Sequence, residues 1–173
     1  MKLINESINQ SFERTGKDKL PNLGIGKMGA ILKWLDDFRI KDYQINDDLT
    51  ININNHDVYI DRAEISELPN YIKFNKIYGS FRIVNSGLTT LKGFPSYVRG
   101  KVNCEGNLLK TLEFITPIIG DDFYCGYNDL KNLDFRPEKI DGIMFVTGNK
   151  LLTKEYTLNI QRIAGYQIDI TEL

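Results

Sequence analysis

The stretch KVNCEGNLLKTL, at residues 101–112, recurs along this chain at a nearly constant distance. Steps of 21 residues forward lead to DFYCGYNDLKNL at residues 122–133 and to IMFVTGNKLLTK at residues 143–154. A step of 21 residues back leads to SFRIVNSGLTTL at residues 80–91, and a further 23 residues back lies DVYIDRAEISEL at residues 57–68. Self-similarity at a fixed period of this length indicates a solenoid in which each copy forms one coil.

The five copies share apolar residues at fixed positions. In the first copy quoted, the pattern consists of Val102, Cys104, Asn107, Leu109 and Leu112. This apolar-x-apolar-x-x-Asn-x-apolar spacing is the kernel of leucine-rich repeats. It predicts a leucine-rich-repeat solenoid, of the α/β class but dominated by strands. About five coils are expected to stack into a short parallel sheet, because one copy alone cannot bury its apolar side.

The Asn that three of the copies share has a predicted structural role. The chain turns after each short strand, and the turn leaves backbone N–H and C=O groups without partners inside the coil. An Asn side chain offers both donors and an acceptor to such groups. We therefore expect Asn107, Asn128 and Asn149 to form a buried ladder, with Ser86 and Ala63 as weaker or missing rungs.

The second half of each copy contains a Pro and then an apolar residue close to a Gly. The prolines are Pro69, Pro95, Pro117 and Pro137. Because Pro and Gly interrupt a long helix, the return arm of each coil is predicted to be extended or a short 3₁₀ turn.

Both ends of a solenoid expose its core and need a cap. Residues 27–38 predict a helix with one apolar stripe, and residues 43–53 predict a hairpin with an Asn/Asp-rich turn. The stripe consists of Met28, Ile31, Leu32, Leu35 and Phe38. Helix and hairpin together are expected to cover the first strand. At the other end, residues 155–163 predict a short helix that Gly165 ends, followed by a closing strand at residues 166–170.

The predicted organisation therefore has four parts. Residues 1–20 are polar and are expected to be mobile. Residues 21–56 form the N-terminal cap, residues 57–154 the leucine-rich-repeat solenoid, and residues 155–173 the C-terminal cap.

The composition argues against several functional classes. The chain carries 22 Lys and Arg against 23 Asp and Glu, a formal net charge of -1, so it lacks the basic excess that nucleic-acid binding requires. No apolar run approaches a membrane span, and the N-terminus contains no signal-peptide core. A soluble protein inside a cell is expected. The 173 residues leave no room for a catalytic domain beside the repeats, so neither enzymatic activity nor a cofactor is expected.

Individual residues give only weak indications of a catalytic or metal-binding site. His56, the only histidine, lies in an Asn-rich turn with no nucleophile signature near it, so an exposed loop residue is expected instead of a general base. The Asp pairs at residues 36–37, 47–48 and 121–122 lack the spacing of a calcium loop. They favour solvated turns or caps, and no metal site is predicted.

Cys104 and Cys125 occupy the same inward position one coil apart. Their Cα atoms are expected about 5 Å apart, near the strand spacing, which a disulfide can bridge in principle. Buried, unreactive thiols are the favoured interpretation because a free Cys behaves as a small apolar residue. A redox switch is the alternative.

The residue between the two inward positions of each strand points out of the sheet. These outward residues are Tyr59, Arg82, Asn103, Tyr124 and Phe145, and Arg62 and Tyr127 follow just past their strands. Tyr, Phe and Arg that cannot reach the core are typical of binding hot spots, and repeat proteins bind through such a face. We predict a protein-binding surface made of these seven residues. The alternative is an ordinary sheet face, because aromatic residues also favour strands.

The stretch WLDDFRIKDYQINDDLTININNHDVYIDRAEISELP, at residues 34–69, and the repeats after it resemble leucine-rich-repeat-like proteins of large tailed bacteriophages. In those proteins a helix and an INDDLTI-like hairpin precede copies of G-x-F-x-C-x-x-N-x-L-x-x-L-x-G-x-P. The likeness covers roughly residues 20–150 and departs where Ile60, Ile83 and Val146 replace the Cys.

The resemblance implies a viral protein in the host cell cytoplasm or on the virion. It carries no agreed activity. By analogy, such a protein binds and inhibits a protein of the host bacterium, such as a defence component. A structural or assembly accessory of the virion is the alternative.

Overall fold

The computed structural model describes residues 24–171. Within these residues, helix α1 (Gly24–Asp37) lies at the N-terminal side and helix α2 (Lys154–Ala164) at the C-terminal side. The front sheet contains β3 (Val58–Tyr59), β5 (Phe81–Arg82), β7 (Val102–Asn103), β9 (Phe123–Tyr124), β11 (Ile143–Phe145) and β12 (Gln167–Asp169). The return sheet contains β1 (Tyr43–Ile45), β2 (Ile51–Ile53), β4 (Phe74–Ile77), β6 (Tyr97–Val98), β8 (Ile118–Ile119) and β10 (Lys139–Ile140). The mobility predicted for residues 1–20 concerns a segment outside the described residues.

From β2 to β11 the chain alternates between the return sheet and the front sheet, and helix α2 takes the place of a return strand between β11 and β12. Neighbouring strands of the front sheet are all parallel and follow the order β3-β5-β7-β9-β11-β12. The return strands β4, β6, β8 and β10 confirm that the four return arms that contain Pro are extended. The predicted solenoid is therefore confirmed. Six front strands stack, because β12 adds one to the five expected from the repeats.

The core lies between the two sheets. Val102 and Cys104 are fully buried, and so are their counterparts in every other repeat. Those counterparts are Val58, Ile60, Phe81, Ile83, Phe123, Cys125, Met144 and Val146. The alternation of side chains along a strand thus places the predicted inward residues in the core. Burial of each such aliphatic side chain stabilises the folded state by roughly 1.5–3 kcal/mol of transfer free energy.

Asn107 shows how neighbouring coils are joined. Its Nδ2 donates to the carbonyl of Ile83 one coil back at 2.8 Å and to that of Cys104 in its own coil at 2.9 Å. Its Oδ1 accepts from the backbone N–H groups of Ser86 and Leu88 at 3.1 and 3.0 Å. The buried amide therefore satisfies backbone groups that the turn leaves without a ladder partner.

The same bonds recur in the later coils. Asn128 Oδ1 accepts from Leu109 N, and Asn149 Oδ1 accepts from Leu130 N, each at 3.1 Å. Ser86 is a functioning rung: its Oγ donates to the carbonyl of Ile60 and accepts from the N–H of Ala63. The predicted ladder is confirmed, and Ser86 takes part in it.

Helix α1 covers the N-terminal end of the core. Ile31 and Leu35 of the predicted stripe are fully buried. Trp34, outside the predicted stripe, is also buried, with its ring 4.6 Å from that of Phe38 and 6.2 Å from that of Phe74. The indole fills the space between α1 and β4, so the apolar side of the helix is wider than the stripe suggested.

The predicted hairpin at residues 43–53 is present and belongs to the return sheet. β1 and β2 pair antiparallel as expected, but β2 then pairs in parallel with the return strand β4, not with the first front strand. The reason is that Ile51 and Ile53 are buried and align with Phe74 and Ile77, which continues the inward side of the return sheet. The hairpin thus extends the return sheet.

The last copy departs from the repeat. Leu151, expected inside, is 59% exposed, and Leu152 is buried in its place. In earlier coils the N–H at the Leu151 position donates to the Asn of the next coil, whereas the last copy leads directly into helix α2. The chain turns before this helix, with the N–H of Leu152 donating to the carbonyl of Asn149 at 3.0 Å.

The C-terminal cap matches the predicted elements. Thr153 caps α2 by accepting from the N–H of Tyr156, and Gly165 ends the helix in the left-handed conformation, with φ of 77°. This conformation favours Gly because a Cβ there is strained. β12 then pairs in parallel with β11 and closes the front sheet.

Candidate protein-binding surface

Five predicted surface residues form one row across the front sheet. The strand pairing aligns Tyr59 with Arg82, Asn103, Tyr124 and Phe145 in turn. All five point away from the core, and Tyr59 is 56% exposed. Asp169 of β12 aligns with Phe145 and adds a sixth member. The sequence could not reveal Asp169, because the closing strand lacks the repeat pattern.

The N-terminal end of the row is held by ionic and polar contacts. Arg82 Nε donates to both carboxylate oxygens of Asp61, at 2.7 and 3.0 Å. The hydroxyl of Tyr59 donates to Asp57 at 2.7 Å. The charge of Arg82 is therefore already balanced within the surface.

The aromatic residues meet at the C-terminal end. The rings of Tyr124 and Phe145 stack with 4.6 Å between their centroids and 6° between their planes. That distance is close to the spacing of neighbouring strands, so the backbone register itself sets the stack. The Lys101 ammonium lies 5.6 Å from the centre of the Tyr124 ring. The result is a stacked pair of aromatic rings on the outer face of the front sheet.

An ion pair helps to hold Tyr124 of the stacked pair in place. Lys101 Nζ lies 2.8 Å from Asp122 Oδ2, and the Tyr124 hydroxyl donates to the same oxygen at 3.0 Å. The Lys101 ammonium, together with the donating Ile143 N–H and Tyr124 hydroxyl, lowers the pKa of Asp122. Partial burial and the bond to Asp122 raise the pKa of Tyr124, so its hydroxyl stays protonated at neutral pH.

Arg62 and Tyr127 belong to a second column, immediately after the front strands. This strand-end column consists of Arg62, Asn85, Gly106, Tyr127 and Gly148, with φ of 54°, 51°, 65°, 51° and 75°. The left-handed region costs a non-Gly residue roughly 1–2 kcal/mol, least for Asn. The aligned repeats could have indicated a left-handed backbone at these positions, because Asn or Gly fills three of the five.

Tyr127 is the large side chain of the strand-end column. It is 60% exposed, and its ring lies against the next coil, where a Cβ on Gly148 would be 2.6 Å from the ring. Gly148 therefore provides the space that the ring occupies. Tyr127 is held in a strained conformation although its side chain contributes little buried area.

The surface is shallow. A depression of about 170 Å³ lies along the row, lined by Tyr59, Arg82, Lys101, Asn103 and Tyr124. A larger cavity of about 490 Å³ lies toward the return arms, around Leu68, Phe74 and Phe94, and contains none of the predicted surface residues. A shallow depression suits side chains of another protein better than an enclosed small molecule.

The other residues singled out in the sequence are not brought together. His56 is exposed, and its nearest carboxylate, on Asp42, lies 4.0 Å away. Cys104 and Cys125 are buried free thiols, and burial raises the pKa of both. Within residues 24–171, no three His, Cys, Asp or Glu side chains converge as metal ligands.

Together, the two sheets of stacked strands, the buried Asn ladder and the aligned outward row define a parallel-strand solenoid with an exposed polar and aromatic sheet face. Comparisons with protein families, with curated proteins and with solved structures found no match to this chain. Neither helix in the described part of the chain has the length and apolar character that crossing a membrane requires.

Proposed function

We propose that this protein is a non-enzymatic protein-binding module that uses the outward row of the front sheet together with Arg62 and Tyr127. The observation that carries the proposal is the stacked pair of Tyr124 and Phe145. Two large rings lie outside the core, on a sheet face where smaller polar residues would satisfy the fold. Aromatic residues fixed in place before binding lose little conformational entropy in a complex.

The strand-end column supports the same proposal. An exposed Tyr at position 127 keeps a φ of 51°, which Gly adopts at lower cost in neighbouring coils. Backbone strain at an exposed residue is typical of sites that bind a ligand or a partner. The fold does not require the Tyr, so we attribute it to binding.

The proposed partner is a protein of the host bacterium, and the proposed location is the host cell cytoplasm. Both follow from the resemblance of the sequence to leucine-rich-repeat-like proteins of large tailed bacteriophages. Inhibition of a host defence protein is the form of this function that we propose.

The experiment compares two double variants of the tagged chain expressed in bacteria. Tyr124→Ala with Phe145→Ala removes the stacked pair, and Phe114→Ala with Phe135→Ala removes two aromatic side chains that are 55% and 54% exposed outside the front sheet. Proteins that co-purify are quantified by mass spectrometry. Recovery of the partner should fall at least about tenfold for the first variant, since a hot-spot side chain contributes about 2 kcal/mol or more, and stay unchanged for the control. Equal recovery with both variants contradicts the proposal.

A further inference from the structure

The first return arm is longer than the arms that follow it. Ile77 lies nine residues after Leu68. In the three other arms the corresponding distance is seven residues, from Leu91 to Val98, from Leu112 to Ile119 and from Leu133 to Ile140. The strands at both ends of the first arm nevertheless align with those of the next coil, β3 with β5 and β4 with β6. The two extra residues therefore bulge out between fixed ends.

The cavity of about 490 Å³ lies where these two arms of unequal length meet. Its lining comes from the first arm between Glu67 and Phe74, from residues 92–94 of the next arm and from Thr50 of the hairpin. Ligand pockets of proteins have volumes of roughly 300–1,000 Å³, so this cavity is large enough for a small molecule.

Gly93 keeps the cavity free of a side chain. In the next two coils the equivalent position, five residues before the inward residue of the return strand, holds the exposed rings of Phe114 and Phe135. A Cβ on Gly93 would stand 3.2 Å from the carbonyl oxygen of Ile72 and 3.4 Å from the Cβ of Leu68, and both residues line the cavity. A side chain at position 93 would therefore point into the cavity.

The floor of the cavity is apolar and fixed by the core. Phe74 and Phe94 line it, and no more than 9% of either is exposed. Their rings pack edge-on against Phe81, with centroids 5.3 and 4.9 Å from that of Phe81. A floor that is in place before binding loses little conformational entropy when a ligand packs on it.

The rim of the cavity carries more positive than negative charge. Lys73 and Lys92 are exposed, and neither nitrogen lies within 4.0 Å of a carboxylate among residues 24–171. Among the described lining residues, Glu67 supplies the only carboxylate. Hydrogen bonds from Thr50 and, less strongly, the Lys73 ammonium lower the pKa of Asp48, which lies outside the lining. Two Lys and one Glu thus leave one positive charge in excess around the cavity.

We propose that this cavity binds a small aromatic carboxylate, with its ring on the apolar floor and its carboxylate at the ammonium groups of Lys73 and Lys92. A ring suits the space because Gly93 omits the side chain that is Phe in the next two coils. A carboxylate suits the rim because hydrogen bonds between two charged groups are stronger than those between neutral ones. The cavity shares no lining residue with the outward row, so this inference goes beyond the proposed protein binding and does not depend on it.

The test titrates 2-naphthylacetate, an aromatic carboxylate with two rings, into the full chain and follows methyl and aromatic signals by NMR. We expect saturable shifts of Leu68, Ile72 and Phe94 with a dissociation constant of about 1 mM or lower, and none of Tyr124. The neutral probe 2-naphthylacetamide should bind at least about threefold more weakly, because it cannot form the charged contacts.

Two variants separate the apolar from the charged half of the site. Gly93→Phe should abolish saturable binding, because it places a ring in the cavity; Phe114 occupies the equivalent position with φ of 69°, close to the 89° of Gly93. Lys73→Gln combined with Lys92→Gln should weaken binding at least about threefold. The control Lys110→Gln changes an exposed lysine outside the lining and should leave the affinity unchanged.

Three outcomes overturn the inference. The first is the absence of saturable shifts at Leu68, Ile72 and Phe94, and the second is saturable shifts confined to the front sheet. The third is equal affinity for the acid and the amide together with an unchanged affinity of the double lysine variant. If circular dichroism shows that Gly93→Phe does not fold, the lysine variants and the two probes still decide between these results.

Discussion

The Oδ1 atom of Asn128 accepts a hydrogen bond from the backbone N–H of Leu109 at 3.1 Å, and this bond joins two consecutive coils of the solenoid. The Nδ2 of the same side chain donates to the carbonyls of Cys104, Cys125 and Gly126 at 3.0, 3.1 and 3.0 Å. One buried amide thus satisfies four backbone groups. The strands on either side keep the register that aligns the outward row.

Replacing Asn128 with Ala should destabilise the protein strongly. The substitution leaves several buried backbone groups without a partner, and each costs roughly 1–3 kcal/mol, so we expect a loss of about 3 kcal/mol or more. Urea denaturation measures the free energy of unfolding. The matched control is Asn103→Ala on the outer side of the sheet, which should cost less than about 1 kcal/mol. Similar losses for the two variants would show that the ladder does not hold the coils together.

The left-handed conformation of Tyr127 leads to two opposite expectations. Tyr127→Asn should leave the free energy of unfolding unchanged or raise it by about 0.5 kcal/mol, because Asn tolerates this region and Asn85 already occupies it in an earlier coil. Tyr127→Val should lower it by about 1 kcal/mol or more, because a branched Cβ is least compatible with a positive φ. Thermal or urea unfolding of both variants provides the comparison. Equal stability of the Asn and Val variants would mean that no strain is present.

Stability should fall in acid partly because of Asp122. Its pKa is lowered in the folded protein, so its contribution is fully present above its unfolded pKa of about 3.9 and disappears as the pH falls through the folded value. The stability difference between wild type and Asp122→Asn should therefore be constant from pH 7 to about pH 5 and shrink below about pH 4. Urea unfolding across this range measures it. The control is Asp129→Asn, which changes an exposed carboxyl on the same coil. If the stability difference between wild type and Asp122→Asn stayed constant down to pH 2, Asp122 would not be the source of the acid sensitivity.

Cys104 and Cys125 should react only when the solenoid opens. Both thiols are fully buried, and burial raises their pKa, which disfavours the nucleophilic thiolate. We expect alkylation by iodoacetamide at pH 8 to be slow in the native protein and complete in urea, with the extent followed by mass spectrometry. Rapid modification without denaturant would show that the inner column is accessible and would favour the redox alternative.

Much of the fold follows from local rules that act on the sequence. Because side chains of a strand alternate between its two faces, the repeat spacing alone places Val102 and Cys104 inside and Asn103 outside. The cost of unsatisfied amides likewise predicts the role of Asn107. These inferences do not require the contacts between different coils to be known.

The remaining features depend on contacts between segments that are distant in the chain. The sheet that the hairpin joins depends on how Ile53 aligns with Ile77, and Leu151 is exposed in the copy that leads into helix α2 and not into a return strand. Of the surface, the residues of the row could be predicted. The stack of Tyr124 on Phe145 could not, because ring orientation is set by side-chain packing across coils.

The most direct test of the proposed binding surface is site-specific photocross-linking in bacterial cells. A photoreactive p-benzoylphenylalanine replaces Tyr124, Tyr127 or, as the control outside the front sheet, Phe135, and adducts are identified by mass spectrometry. The account predicts that one and the same protein is cross-linked from positions 124 and 127 and not from position 135. An adduct from position 135 with none from positions 124 and 127 would contradict it.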